Sequence, residues 1–392
     1  MNITVTAGAE TRQQLPMSEN VAWTSWKWQQ QNAITNVEAL VNVFPELKDS
    51  PLLARISERL DGRKLGITPY YADLIRSGIN GQPIDKDPLW LQVVPAWTDA
   101  STGELSYDGE TDNWELPHEM VTPICQHKYD NRVIIRVSNI CHAYCQFCYE
   151  ALRTLETETD KGKFRKSDWA ATLDYIASHP ELDEAIVSGG EPLMHADAQL
   201  RAMLEDLRAL RPELVIRLHT RALSFNPFRV TDELLAALRE TRVTAVGLHV
   251  AHPREITPEF IAAVAKLRQA VPLLFANIPL LAGVNDELDV MKPLCLALYR
   301  HGVLPHYLYQ FMPFSPGDTQ FCTDISKGVA IIKQMKRRIS NMAVPELVLP
   351  HRTGKYSVPL SLSGESPKLE VRDGREFVTF RNWKDELCVF PG

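Results

Sequence analysis

The sequence lacks several features that define whole classes of protein. No apolar run reaches the roughly 20 residues that a membrane-spanning helix needs. The first residues, MNITVTAGAETRQQ, have neither the charged nor the apolar segment of a secretory signal. Positive charge is not in excess, since the net charge is −7, and we therefore expect no nucleic-acid or membrane partner.

The cysteines do not show the pattern of a disulfide-bonded protein. The seven cysteines are an odd number and three of them are clustered, which favours a reducing compartment, the cytoplasm, over a disulfide framework. What is present is ordinary for a globular protein with a large core, with 45% hydrophobic and 23% charged residues. The 392 residues fit one barrel-sized domain with extensions, or two to three smaller domains.

Four segments differ in pattern along the chain. Residues 1–19 are polar and patternless, which predicts a flexible lead, and residues 20–131 are interpreted as a helical, wrapping region. Within that region, residues 76–130 show few periodic segments. Strand and helix patterns alternate over 132–340, and residues 341–392 form a β-rich extension in which Asp373-Gly374 predicts a hairpin.

The alternating segment predicts an α/β fold. Strands are predicted at 132–138, 184–189, 214–220, 244–250, 273–278 and 304–310, with helices near 167–178, 197–210, 231–240, 257–270, 286–300 and 326–339. Six β/α units in a row imply a parallel sheet with helices outside it. The sheet is either open and doubly wound or a barrel, and in both cases ligand loops lie at the carboxyl ends of the strands.

Three cysteines follow the first of these strands. Cys141, Cys145 and Cys148 have the spacing C-x3-C-x2-C, which brings three thiolates onto one small cluster. Iron–sulfur clusters of four irons normally take four cysteines, so three leave one iron open to another ligand. The alternatives are buried thiols or a zinc site, although zinc prefers four ligands and no second CxxC is present.

Other residues at the strand ends are candidates for binding. Ser188, Gly189, Gly190 and Glu191 end the second strand, where glycines let the backbone approach a ligand or simply form a left-handed turn. His219 and His249 end the next two strands and are either cofactor or substrate contacts or structural histidines.

A lysine in the C-terminal segment is the second candidate centre. Gly354-Lys355 lies in an apolar, β-leaning context. A lysine held beside apolar groups has a lowered pKa and can form a Schiff base. The alternative is a solvated surface lysine.

Nine motifs occur in order along the chain: WTSWKWQQQNAI, ITPYYADLI, HKYDNRV, CHAYCQFC, GGEPL, LHVAHPREIT, LLAGVND, YLYQ and GKYSVP. This ordered set resembles the lysine 2,3-aminomutase family of radical S-adenosylmethionine (SAM) enzymes. The resemblance implies a partial (β/α)6 barrel with an N-terminal helical extension and a C-terminal extension that binds pyridoxal 5′-phosphate (PLP). It also implies three cofactors: a [4Fe-4S] cluster, SAM and PLP.

The resemblance assigns roles to the candidate residues. It makes Cys141, Cys145 and Cys148 the cluster ligands, places the amino group of SAM at the glycine motif, Ser188 to Glu191, and attaches PLP to Lys355 beside Gly354, Tyr129 and Arg132. The implied reaction moves an amino group between adjacent carbons of a small amine or amino acid. The implied partners are a one-electron reductant, such as flavodoxin or ferredoxin, and further copies of the chain in a homo-oligomer.

The sequence departs from the lysine enzymes at the expected substrate positions. Glu150 stands where they have an arginine that binds the α-carboxylate, and Met312 and Val348 stand where two aspartates hold the distal ammonium. Each lost charge contact is worth about 2–5 kcal/mol in a closed site. Arg352 or Arg153 is an alternative partner for a carboxylate, and Glu150 for a cation. We therefore expect an amine or amino acid other than lysine, with an uncharged side chain.

Three rival functions remain at this point. One keeps the radical initiation but ends as a lyase, deaminase, dehydratase or epimerase, and product mass separates it from an isomerase. The second is a non-catalytic iron–sulfur or PLP-binding protein. The third is a barrel stabilised by structural zinc.

Overall fold

The computed structural model describes residues 22–79, 81–96, 115–155, 163–311, 318–351, 354–359, 368–372, 375–381 and 384–390. The predicted lead at 1–19, the two residues Met312 and Arg352, and the turn Asp373-Gly374 lie outside the described residues.

Helices dominate the N-terminal region and then alternate with strands. Within the described residues the α-helices are α1 Trp26–Gln31, α2 Val37–Val43, α3 Pro51–Arg59, α4 Pro69–Gly78, α5 Pro88–Val93, α6 Ala151–Thr154, α7 Lys166–Ser178, α8 Asp197–Leu210, α9 Ala222–Phe225, α10 Asp232–Glu240, α11 Pro258–Leu267, α12 Leu288–Arg300, α13 Asp318–Phe321 and α14 Ile325–Arg338.

The strands form one large sheet and one small one. The large sheet contains β1 Met120–Thr122, β2 Cys125–Tyr129, β3 Arg132–Arg136, β4 Glu184–Ser188, β5 Val215–Thr220, β6 Ala245–His249, β7 Leu273–Leu280, β8 Leu304–Gln310, β9 Glu346–His351 and β10 Gly354–Ser357, in sequence order. The small sheet contains β11 Lys368–Arg372, β12 Arg375–Arg381 and β13 Leu387–Phe390.

The six predicted strands and their parallel pairing are confirmed as β3 to β8. Their apolar side chains are buried against the surrounding helices in one continuous core, as parallel sheets require. The predicted helix starts are confirmed as well. Thr231 accepts a hydrogen bond from the N–H of Leu234 at 3.1 Å, and Thr257 accepts one from Phe260 at 3.1 Å.

The two edges of the large sheet curl towards each other. The hydroxyl of Tyr129 on β2 lies 3.8 Å from the position that a β-carbon on Gly354 would take, and Tyr129 hydrogen-bonds to the backbone of Lys355 on β10. The expected α/β fold with a partial barrel is therefore confirmed. Residues from β2, from β10 and from every parallel strand between them face a common interior.

Two parts of the sheet were not predicted. Strand β9 adds a seventh parallel strand beside β8, although its segment was interpreted as part of the tail. Strands β1 and β2 lie within 76–130, where the sequence shows few periodic segments; β1 pairs antiparallel with β2, and β2 pairs antiparallel with β3. Strand β2 reads CQHKY, and its polar side chains hid the alternation that marks a strand.

A second core lies in the N-terminal region. It is built from helices α2 to α5 and includes Phe225 from α9 and Ala143 from the loop that carries Cys141, Cys145 and Cys148, here called the cysteine loop. The C-terminal hairpin is confirmed, because β11 and β12 pair antiparallel with Arg372 opposite Arg375. Among the helices that the structure describes, none has the length and apolar character that crossing a bilayer requires.

Candidate active site

A cavity of about 570 Å³ lies inside the barrel, and its lining runs from the first residues of the parallel strands, such as Arg132 and Glu184, to the loops at their carboxyl ends. It brings together most of the residues singled out from the sequence. Its lining includes Tyr129, Arg132, Cys141, Cys145, Cys148, Glu150, Ser188, Gly189, Gly190, Glu191, His219, His249, Gly354 and Lys355.

The three cysteines lie in the loop that follows β3. The N-terminal region holds this loop through backbone hydrogen bonds, from Tyr144 to the carbonyl of Gly66 at 3.3 Å and from Gln146 to the carbonyl of Gln92 at 2.8 Å. Burial raises the pKa of all three thiols, and the charge of Cys145 raises that of Cys148 further. Three close, desolvated thiolates are unfavourable alone, and iron bound to them would supply the missing positive charge.

The three thiols belong to one loop and line one cavity. Among the described residues, no three His, Cys, Asp or Glu side chains converge as the ligands of one metal ion do. A four-iron cluster takes one cysteine for each of several irons, and three cysteines in one loop at one cavity are a donor set of that kind.

The glycine motif packs against the start of the cysteine loop. Gly189 has φ +133°, and a β-carbon there would come within 2.5 Å of the carbonyl oxygen of Ser138. The N–H of Gly190 donates to that carbonyl at 2.6 Å, and the N–H of Glu191 donates to the carbonyl of Ile140 at 2.9 Å. Because these donors are used, carbonyl oxygens are what the motif can offer to a ligand, and they suit an amino group.

The carboxylate of Glu191 connects the glycine motif to the end of β5. It accepts hydrogen bonds from the N–H of Leu193 at 3.0 Å, the hydroxyl of Thr220 at 2.7 Å and the N–H of Arg221 at 2.8 Å. Burial raises its pKa, and the three donors offset part of that rise. In this structure Glu191 therefore fixes the position of the loop.

The two histidines form a pair on the cavity wall. The Nε2 of His249 lies 3.4 Å from the Nδ1 of His219. Burial lowers the pKa of His219 well below its usual value and lowers that of His249 to about 4, so both rings are neutral at pH 7. Among the described residues, the Nε2 of His219 has no hydrogen-bond partner although it is buried, which leaves it available to a ligand.

Lys355 lies on β10 opposite Pro350 of β9 and faces the cavity. Its Nζ is 5.5 Å from the ring centre of Tyr307 and 5.4 Å from that of Tyr309. The side chain borders the cavity, and protein atoms surround its ammonium group closely. This desolvation lowers the pKa of Lys355 to about 8, with smaller contributions from Arg217 and Arg132.

Those arginines make the lysine end of the cavity positive. The guanidinium of Arg132 stacks over the ring of Tyr129, with 3.9 Å between its central carbon and the ring centre. Arg217 forms an ion pair with Glu184 at 3.0 Å. Arg132, Arg217 and Lys355 together supply three cations against one carboxylate, and this imbalance fits an anionic group such as a phosphate.

Comparison with known proteins gives the family. Residues 135–292 match the model of the radical SAM superfamily. The L-lysine 2,3-aminomutase of Methanococcus maripaludis is 30% identical over 379 residues, which are 95% of this chain and 83% of that protein. The chain belongs to the lysine 2,3-aminomutase family of radical SAM enzymes.

Other members of the family agree in extent but differ in substrate. The putative L-lysine 2,3-aminomutase of Aquifex aeolicus is 32% identical and covers 86% of this chain and 88% of its own. The glutamate 2,3-aminomutase of Clostridioides difficile is 28% identical, with 93% and 82% coverage. Family membership makes the chain an isomerase of the aminomutase type and implies a [4Fe-4S] cluster, SAM and PLP as cofactors.

Glu150, a substrate position predicted from the family resemblance, lies in a buried network of ion pairs. It accepts two hydrogen bonds from the Nε of Arg136, at 2.8 and 2.9 Å, and one from Arg153 at 3.1 Å. Glu115 binds the other ends of both arginines, and its distance to Arg153 is 2.7 Å. Two cations therefore face two carboxylates, and neither Glu150 nor Arg153 presents an unbalanced charge to the cavity.

The cavity lining differs in part from the substrate positions predicted from the sequence. Val348 is buried on β9 and is not among the residues that line the cavity. The cavity also contains Arg217, Tyr307 and Tyr309, which sequence reasoning did not single out. A bulge displaces the pairing of β7 and β8 at Asn277, so that the neighbouring residues His306 and Tyr307 both face inwards. Polar side chains at every second position of a buried strand were the available signal for Arg217 and Tyr309.

Proposed function

We propose that this family member is a PLP-dependent radical SAM 2,3-aminomutase whose substrate is an amino acid or amine other than free lysine. The observation that carries the proposal is the shared cavity, into which Lys355 and the three cysteines both open. The two centres come from opposite ends of the sheet, and only the curled barrel brings them together.

Each cofactor has a matching group of residues in this proposal. Cys141, Cys145 and Cys148 hold the cluster, carbonyl oxygens of the glycine motif bind the amino group of SAM, and Lys355 binds PLP. When bound, these groups supply a carbon radical and an aldehyde that carries the migrating amine.

The protein supplies a nucleophile, a positive field and a shielded site. At pH 7 a pKa of about 8 leaves about a tenth of the Lys355 amines neutral, against about one in 3,000 for an ordinary lysine. Arg132 and Arg217 attract an anionic phosphate to the same end of the cavity. Aromatic side chains around the lysine, from Tyr129, Tyr307 and Tyr309, keep water away from the reacting groups.

Glu150 supports a substrate other than lysine. Because its charge and that of Arg153 are balanced within the ion-pair network, the described part of this wall offers no unbalanced cation to the α-carboxylate of lysine. The sequence positions that the family resemblance assigns to the ammonium-binding aspartates hold the apolar residues Met312 and Val348. Both features support an amine or amino acid with an uncharged side chain.

The test is anaerobic turnover with the reconstituted enzyme. The protein receives iron, sulfide, PLP, SAM and a one-electron reductant such as reduced flavodoxin or ferredoxin, together with a panel of deuterated amino acids and amines. We expect deuterium in 5′-deoxyadenosine with the true substrate and a product isomer of unchanged mass. Lys355→Ala is the matched control and should keep the cluster while forming no isomer. Turnover of free lysine at a rate typical of the family would contradict the substrate proposal, and a product of lower mass would favour elimination.

A further inference from the structure

Arg221 places its guanidinium against one of the cysteine ligands. The residue follows β5 directly, and its Nη1 donates a hydrogen bond to the Sγ of Cys145 at 2.8 Å. The guanidinium lies between two aromatic rings, 5.0 Å from the ring centre of Phe147 and 4.8 Å from that of Phe225. Phe147 belongs to the cysteine loop itself, so both the ring and the sulfur of that loop contact the arginine.

Two further side chains fix the direction of this guanidinium. Its Nη2 donates to the side-chain oxygen of Gln92 and lies 3.4 Å from the carboxylate of Glu255. Gln92 in turn donates to Glu255 at 3.1 Å, and the side chain of Glu255 is fully buried. The contacts of Gln92 and Glu255 with Nη2 therefore hold the guanidinium in the orientation that donates to Cys145.

We propose that Arg221 is a positioning residue that raises the reduction potential of the cluster held by Cys141, Cys145 and Cys148. Reduction adds one negative charge to the cluster and its sulfurs. A cationic donor at a ligand sulfur stabilises the reduced state more than the oxidised state, and hydrogen bonds to sulfur are a known determinant of these potentials. The inference rests on the cluster in the proposed function, but not on PLP or the identity of the substrate.

Glu255 acts in the opposite direction. Its carboxylate lies 3.4 Å from the Nη2 of Arg221 and offsets part of the positive charge that the cluster experiences. Removal of the cation and removal of the carboxylate should therefore shift the potential with opposite signs. A residue that only supported the fold would not produce such a pair of shifts.

The experiment is a redox titration of the reconstituted full-length protein, monitored by electron paramagnetic resonance, without PLP or substrate. For Arg221→Gln we expect the ratio of reduced to oxidised cluster at a fixed potential to fall tenfold, which is a shift of about 59 mV for a one-electron couple. Glu255→Gln should shift the midpoint to a higher potential. Arg217→Gln is the matched control and should leave the midpoint unchanged, because that guanidinium acts on Lys355 at the other end of the cavity.

Iron and sulfide contents show whether each variant holds an intact cluster. An intact cluster in Arg221→Gln with an unchanged or raised midpoint would overturn the inference. If that variant fails to assemble a cluster, Glu255→Gln decides the question, and an unchanged or lowered midpoint there would overturn it as well. A wild-type protein that assembles no cluster would instead refute the proposed function, so the two failures are distinguishable.

Discussion

At the scale of single residues, Lys355 combines access with desolvation. Its side chain borders the cavity, which a cofactor needs, while crowding by protein atoms disfavours the ammonium form. The surrounding cations act in the same direction. A lysine in this position is a nucleophile near neutral pH, whereas an ordinary lysine is not.

The lowered pKa of Lys355 predicts how PLP loading depends on pH. Only the neutral amine attacks an aldehyde, so the loading rate should rise about tenfold per pH unit below 8 and level off above it. Stopped-flow absorbance of PLP added to the cofactor-free protein measures this profile. Arg217→Gln removes a nearby cation and should move the midpoint to higher pH. A wild-type midpoint close to the usual lysine value would contradict the prediction.

The balanced ion pairs around Glu150 predict a stability effect. Glu150→Gln leaves Arg136 and Arg153 buried with one carboxylate between them, and we expect the free energy of unfolding to fall by about 3 kcal/mol. Urea denaturation measures the loss. Glu240→Gln breaks an exposed pair with Arg201 and is the matched control, which should leave the midpoint nearly unchanged. Equal shifts in the two variants would show that the buried network contributes no more than a surface pair.

At the scale of elements, the glycine motif and the cysteine loop act as one unit. The close approach of Gly189 to Ser138 leaves no room for a β-carbon and fixes where the cysteine loop begins. The loop also receives support from α5 through Gln92. The geometry of the three thiolates therefore depends on backbone contacts outside the CxxxCxxC motif.

Gly189→Ala should lower the iron bound after reconstitution. The backbone at φ +133° disfavours any side chain by about 1–3 kcal/mol, and the clash with Ser138 adds to this by displacing the cysteine loop. Gly62→Ala is the control, because Gly62 also has a positive φ, +68°, but no atom within 4 Å of the added carbon. That variant should cost about 1 kcal/mol and keep its full iron content. Equal iron contents in the two variants would contradict the proposed coupling.

The elements that sequence could predict are those with one dominant pattern. The strands β3 to β8 are apolar and bounded by turn residues, so their order and parallel pairing followed from the sequence. Strand β2 was not predicted, because Gln126 and Lys128 are polar and form a hydrogen-bond network with Glu119. The bulge near His306 was not predicted either, since one extra residue in a strand leaves no signal in the apolar pattern.

Some residues of the candidate site could likewise be predicted from the sequence, and others could not. The cysteines and the glycine motif are local in sequence, and spacing alone brought them into consideration. The other members of the ion-pair network around Glu150 come from three separate segments, with Glu115 preceding β1, Arg136 on β3 and Arg153 on α6. Because their charges cancel only in three dimensions, the sequence suggested that Glu150 was free to bind a cation, and the structure shows it paired.

At the scale of the whole molecule, hydrogen bonds join the N-terminal region to the cysteine loop and to the segment that follows β5. Thr68 donates to the carbonyl of Phe225 at 2.5 Å, Asn226 donates to the carbonyl of Trp26 at 2.9 Å, and His142 lies 2.8 Å from the side-chain oxygen of Gln30. These hydrogen bonds join residues more than 100 positions apart. The region is therefore part of the structure that holds the site.

These shared contacts predict a single unfolding transition. Six of the eight tryptophans precede residue 115, so tryptophan fluorescence reports mainly on the N-terminal region, while far-ultraviolet circular dichroism reports on the whole fold. The two urea curves should coincide within error. An earlier fluorescence transition would show that the region unfolds on its own and would contradict the shared core.

The position of Lys355 in the last strand of the barrel has a consequence for synthesis. A ribosome completes the cysteine loop more than 200 residues before it reaches this lysine. The nascent chain therefore contains all three thiols before the lysine that we propose as the PLP attachment point has been added. A ribosome stalled before codon 355 would leave a chain with a complete cysteine loop and without that lysine.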